Sequence, residues 1–247
     1  MKLVCISDTH NQHKKISYLP DGDILLHAGD LTGIGKEGEV RDFAEWAIKQ
    51  ASRYTYGIAF IAGNHDRCFD PKFGEHASED EYKEGPKQKP EWLVSLLHNL
   101  KFNTIGVHYL EDSWLKIGGV KIWGSPITPW FHGDRWAFNE YRGPKIAQVW
   151  DQIPLDTDIV MTHGPVSYKL DYVPRAQEYV GCESLRKKVE SIKPLLHVSG
   201  HIHEGYGVDY NIDTTFVNAS ICNEYYNPNN KPWEIEIDIR NRTAQIL

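Results

Sequence analysis

Five short segments of this chain place metal-binding side chains directly after apolar runs, and that pattern constrains the fold more than any other feature. The segments are Asp8-Thr9-His10, Gly29-Asp30, Gly63-Asn64-His65-Asp66, His163-Gly164 and Gly200-His201-Ile202-His203. The runs before them cover residues 3–6, 24–26, 58–62, 159–161 and 195–198. Each run has the length and composition of a buried strand. Open α/β sheets build their sites at the carboxyl ends of such strands. One Asp-x-His would mean little; five segments in this order point to an α/β fold built around a site.

Helical spacing alternates with these runs. Val40, Phe43, Ala44, Ala47 and Ile48 recur at helical intervals, with Glu39, Asp42, Glu45 and Lys49 between them. Residues 92–100, 143–150 and 182–192 also read as helices. Strands are expected at 104–110, 114–117 and 120–123, with Gly118-Gly119 as a hairpin turn. The tail adds strands at 205–208, 214–218 and 234–239, and a turn at 227–230. Residues 70–91 are dominated by Lys, Glu, Pro and Gly and read as a long exposed excursion. No repeat or linker divides the 247 residues, so one domain over 1–247, a mixed sheet system with flanking helices, is expected.

Charge narrows the partners. A formal net charge of −7 carries no electrostatic footprint for long nucleic acid. No stretch is long and apolar enough to span a bilayer, and the chain begins with a strand-like run rather than a leader pattern. A soluble, cytoplasmic protein is the expectation, with no membrane partner. Cys5, Cys68, Cys182 and Cys222 are scattered without a metal or disulfide spacing. Cys5 and Cys222 lie in apolar runs and read as buried, inert thiols.

The ligand set is Asp, His and Asn without thiolate, which suits borderline divalent ions. Asp8, His10, Asp30, Asn64, His163, His201 and His203 are the candidate ligands. Two ions about 3.5–4 Å apart need a bridging carboxylate, and Asp30 is the natural one. Neutral Asn64 limits the negative charge, so the pair can attract a phosphate. The expected cofactor is a pair of divalent ions, Mn²⁺ first, with Fe²⁺, Zn²⁺ or Co²⁺ as alternatives. Such ions acidify a bound water and so generate a hydroxide nucleophile near neutral pH. His65, beside a ligand, is the candidate proton donor to the leaving oxygen, with Asp66 orienting it. His27 and His197 lie inside strand runs and read as core or supporting histidines. Trp130, Phe131 and Trp136 form either a substrate platform or a local packing cluster. His132 between them reads as an exposed loop side chain.

The series D-x-H, GD, GNHD, H and GHxH resembles the calcineurin-like metallophosphoesterase superfamily. The stretches CISDTH (5–10), LLHAGD (25–30), IAGNHD (61–66), GSPITPWF (124–131), THGP (162–165), HVSGHIHEGYG (197–207) and VNASIC (217–222) bring it nearer to the brain-type metallophosphoesterase-domain proteins and their bacterial and phage relatives. The resemblance implies a four-layer α/β/β/α sandwich with two facing mixed sheets. It also implies one ion on Asp8, His10, Asp30 and His203, and a second on Asp30, Asn64, His163 and His201. After Gly29-Asp30 the chain reads Leu-Thr-Gly-Ile-Gly rather than the Asp-Arg-Gly signature of protein serine/threonine phosphatases, which argues against that activity. The leading expectation is a phosphodiesterase for small esters, cyclic nucleotides or related nucleotide esters. A nuclease acting on polynucleotide ends and a metal-binding regulatory protein with vestigial activity are the alternatives.

Overall fold

The computed structural model describes residues 1–73, 88–103, 106–131 and 135–247. In chain order the first half contains β1 (Lys2–Ile6), β2 (Ile24–Ala28), α1 (Glu37–Ala51), β3 (Ile58–Ile61), α2 (Glu91–Asn103) and β4 (Val107–Tyr109). Then come β5 (Ser113–Ile117), β6 (Val120–Ser125), β7 (Thr128–Pro129), β8 (Asn139–Glu140), α3 (Pro144–Asp151) and β9 (Ile159–Thr162). Next are β10 (Tyr172–Val173), β11 (Glu178–Tyr179), α4 (Glu183–Ile192) and β12 (Leu196–Ser199). The chain ends with β13 (Gly207–Tyr210), β14 (Thr215–Asn218), β15 (Trp233–Asp238) and β16 (Thr243–Ile246).

Among the described residues two mixed sheets form, in the orders β16-β15-β1-β2-β3-β4 and β13-β14-β12-β9-β6-β5. Strands β1 to β4 run parallel, as do β6, β9, β12 and β14, with antiparallel partners at the margins. The two-residue alternation of strand side chains explains why the sheets face each other. Leu3 and Cys5, with Ile24, Leu26, Ala59 and Ile61, pack against Ile122, Ile159, Met161, Leu196 and Val217 of the other sheet. The intervening Val4, Ile6, Leu25, Ile58 and Phe60 point outward to Val40, Phe43, Ala47 and Leu93 of α1 and α2. Trp123, Val160 and Phe216 meet Ile146, Trp150, Leu185 and Val189 of α3 and α4. Three cores therefore separate four layers, the expected α/β/β/α sandwich.

The expected hairpin closes β5 on β6, with Gly118 and Gly119 at φ 56° and 86°. Some boundaries move. Helix α2 runs to Asn103, so the strand expected from 104 begins at Val107, and the 205–208 run starts two residues later as β13. Cys222 is not in a strand but in the loop after β14, where it is fully buried and burial pushes its thiol up to about 12. Most of the 70–91 excursion, and His132, lie outside the described residues.

Candidate metal centre

Strands β1, β2 and β3 share one carboxyl edge and β9 and β12 share that of the facing sheet, so five loops converge at one end of the sandwich. They are bonded to one another rather than merely adjacent. The Asp8 and His10 amides donate to the Gly29 and Asp30 carbonyls at 2.9 and 3.0 Å, and the Gly200 amide donates to the His163 carbonyl at 3.0 Å. The His201 amide crosses between sheets to the Asp8 carboxylate at 3.0 Å. Asp8, His10, Asp30 and His201 all take left-handed backbone, φ 50°, 42°, 53° and 66°. Such strain persists only where surrounding structure holds it, and it gathers at functional sites. The glycines before the ligands have a matching cause. A Cβ at Gly200 would overlap the Asp8 carboxylate and Ser7 hydroxyl, and one at Gly63 would overlap the Asp30 carboxylate.

The donors form three overlapping groups among the described residues: Asp8, His10 and His203; Asp8, Asp30 and His163; and His10, Asp30 and His65, with ligand atoms within 4.8 Å of each other in each. His10 Nε2 and His203 Nε2 are 3.2 Å apart, and Asp8 Oδ1 is 3.3 Å from His203 Nε2. An ion about 2.1 Å from each of two donors at right angles would hold them about 3 Å apart. These residues therefore fit a divalent ion. On the other side, His163 Nε2 is 3.0 Å from Asn64 Oδ1 and 3.4 Å from Asp30 Oδ1. Asp30 reaches both sides, since its Oδ2 is 3.8 Å from His10 Nε2. The His201 ring stands 5.0 Å from that of His163 and 4.8 Å from that of Phe131.

Backbone carbonyls set the orientation of three rings. His163 Nδ1 donates to Ala28 O at 2.9 Å, His203 Nδ1 to Asn223 O at 2.8 Å, and His65 Nδ1 to Gly33 O at 2.6 Å. Each bond leaves Nε2 as the nitrogen turned to the centre. Asp8 is further held by the Ser220 hydroxyl at 2.9 Å. His27 and His197 instead bond Thr9 and Thr162 hydroxyls at 3.0 and 2.9 Å and belong to the supporting core. Asp66, expected to orient His65, does something else. Its buried carboxylate accepts from the Leu31, Thr32 and Gly63 amides at 3.1, 2.9 and 2.8 Å, and from the Thr32 hydroxyl at 2.6 Å. It ties the loop after Asp30 to the loop before Asn64, and the Gly33 carbonyl orients His65.

Electrostatics couple the site to protons. Burial opposes charge on His163, but the Asp30 carboxylate outweighs it and raises the ring to about 9. Burial lowers His10 to about 4 and His201 to about 3, the latter helped by the charge of His163. Burial likewise raises Asp66 to about 7, with the charge of Asp30 adding to it. Near neutral pH an ion taking His163 Nε2 must therefore displace a proton, while His10 and His201 have none to lose. Apparent metal affinity should rise about tenfold per pH unit from 7 and level off near pH 9. Calorimetry at pH 7 in buffers of different ionisation enthalpy should record at least one proton released; affinity independent of pH over this range would contradict the His163 assignment.

A cleft of about 510 Å³ opens above the donors, lined by Asp30, Asn64, His65, His201 and His203. Its outer wall includes Trp130, Phe131, Trp136 and Tyr226. Trp136 lies 4.5 Å from the His65 ring and near-parallel to Phe131 at 6.2 Å, whereas Trp130 stacks on Tyr141 at 6.0 Å, further out. The three aromatics thus divide: Trp136 buttresses His65 and Trp130 faces the opening. Sequence reasoning missed Gly33, Asn223 and Tyr226. Each sits in a stretch that reads as turn, and nothing in its own neighbourhood marks it.

Residues 1–205 match the family described as calcineurin-like phosphoesterase. The chain is 42% identical over 240 residues to metallophosphoesterase domain-containing protein 1 of Homo sapiens, covering 96% of this chain and 71% of that protein. The Mus musculus protein of the same name matches to the same extent. Among solved structures, the phosphopantetheinyl hydrolase of Mycobacterium tuberculosis shares the fold with a TM-score of 0.57 at 17% identity, over 89% of this chain and 88% of that one. Among the described residues no helix is long and apolar enough to cross a membrane.

Proposed function

This chain belongs to the calcineurin-like phosphoesterase family, and on that premise we propose that it hydrolyses small phosphodiesters, cyclic nucleotides or related nucleotide esters foremost. The observation that carries the reading is the cleft itself. It joins the donor groups to an aromatic wall within about 510 Å³, the size of a small-molecule site. Asp8, His10, Asp30 and His203 would hold one ion, and Asp30, Asn64, His163 and His201 the second. Bound there, the ions supply an acidified water and offset the charge of the phosphate. The chain's own residues do the rest. Asp30 turns Oδ2 toward His10 and Oδ1 toward His163, and the Gly33 carbonyl fixes the His65 ring through Nδ1–H, so that Nε2 can carry a proton to the leaving oxygen. Trp136 keeps that ring in place, and Trp130, 41% exposed, offers a face to a base.

Four histidine donors favour a transition ion, and Mn²⁺ is the proposed metal. Chelation should abolish turnover, and Mn²⁺ should restore it more fully than Mg²⁺, which prefers oxygen ligands. With Mn²⁺ bound, a cyclic mononucleotide should be turned over faster than a nucleoside monophosphate or a short oligonucleotide. Preference for the oligonucleotide would favour the nuclease reading, and no turnover of any ester the regulatory one. Trp130→Ala should weaken nucleotide turnover selectively, by the roughly 1–3 kcal/mol that base stacking is worth. Trp136→Ala should also slow nucleotide esters more than aryl esters, because it frees His65, whose proton a sugar alkoxide needs and an aryl oxide does not. Equal losses for Trp130→Ala on both ester types would assign Trp130 to packing.

A further inference from the structure

The loop after β14 brings an aromatic side chain over the donor groups. The Tyr226 ring lies 4.8 Å from that of His10, 5.2 Å from His203 and 6.0 Å from His65. It therefore touches two candidate ligands and approaches the candidate acid, while 48% of its surface stays exposed and it lines the cleft. Its hydroxyl makes no hydrogen bond among the described residues. Neighbouring Tyr225, 74% exposed, has no such placement.

The backbone beneath Tyr226 is tightly held. Its φ of 59° is one that aromatic residues rarely take. Asn223 builds the turn, with its carbonyl accepting from the Tyr226 amide at 2.8 Å and its side chain from the Tyr225 and Asn227 amides at 3.0 Å each. The same carbonyl accepts from His203 Nδ1 at 2.8 Å, and Gln12, beyond His10, donates to the Tyr226 carbonyl at 2.8 Å. One small turn thus fixes a candidate ligand and the phenol together at the wall of the cleft.

We propose that Tyr226 is a substrate-contacting residue whose phenol donates a hydrogen bond to an oxygen of the phosphate group bound at the centre. The inference rests on the phosphoesterase reading. A phenol donor suits this position because it adds a bond to an anion without adding charge beside the ions, and hydrogen bonds to charged groups are the stronger ones.

Tyr226→Phe tests it, since the ring and all its contacts remain. The Mn²⁺-loaded protein should bind inorganic phosphate about tenfold or more weakly by calorimetry, with Mn²⁺ affinity unchanged. Its kcat/KM for a diester should fall by a similar factor. Phosphate affinity within about twofold of the parent would overturn the proposal, and so would a loss explained by lower Mn²⁺ content. If the parent protein hydrolyses no phosphoester yet Tyr226→Phe still weakens phosphate, the hydrolase reading fails and the Tyr226 contact stands.

Discussion

Asp30→Asn should strip the protein of both ions and cause the largest loss of activity of any single ligand change. The loss should exceed the roughly 10–100-fold that removing a hydrogen-bond partner of a ligand produces. The carboxylate is almost fully buried, with Oδ1 toward His163 and Oδ2 toward His10. Oδ1 also accepts the His65 amide at 2.8 Å. The Asn variant keeps the shape but loses the charge and places an amide nitrogen against a donor or a ligand nitrogen. It also removes the carboxylate that raises His163, so proton release on metal binding should shrink. His203→Ala should remove the ion beside Asp8 and His10 first, leaving the Asn64 and His163 side with its metal. Metal content and calorimetric titration of the two variants decide the matter. Two ions bound to Asp30→Asn with ordinary affinity would end the bridging role.

His65→Asn should separate proton donation from the other roles that ring could have. A sugar alkoxide is a poor leaving group and needs a proton, whereas a nitrophenolate leaves without one. General acid catalysis contributes about 10²–10⁴-fold, so the variant should lose that much on a nucleotide diester and far less on a nitrophenyl diester. Two geometric facts make other outcomes informative. His65 sits in a donor group with His10 and Asp30, so a loss of metal would recast it as a ligand. It also lies against both His10 and Trp136 at 4.5 Å, so similar losses on both substrates with metals intact would assign it to phosphate contact or packing. The comparison is valid only on variants of verified metal occupancy.

The sequence carried what is local. Five apolar runs followed by donors located the strands, and their length and composition marked them as buried. Gly200 and Gly63 were visible as residues, but the overlap that excludes a Cβ at each became visible only in the structure. Helix and hairpin boundaries held to within a few residues because periodicity and glycine pairs act over a handful of positions. The short pairs β7–β8 and β10–β11 were not foreseen, since two-residue strands have no period to read.

What only the tertiary structure decided is which distant groups meet. His163 is oriented by Ala28, 135 positions away, and His10 faces His203 across 193. Asp66 stands next to His65 in the chain yet serves Leu31, Thr32 and Gly63, while His65 takes its partner from Gly33. Tyr226 reaches the centre from a turn of asparagines and proline that announces only a turn. The physical reason is the same in each case. A residue's burial and backbone conformation are set by its own element, so its neighbours in sequence betray them. Its hydrogen-bond partner across the site is set by how two sheets stack and how their loops interlock, and that registration is a property of the packed whole.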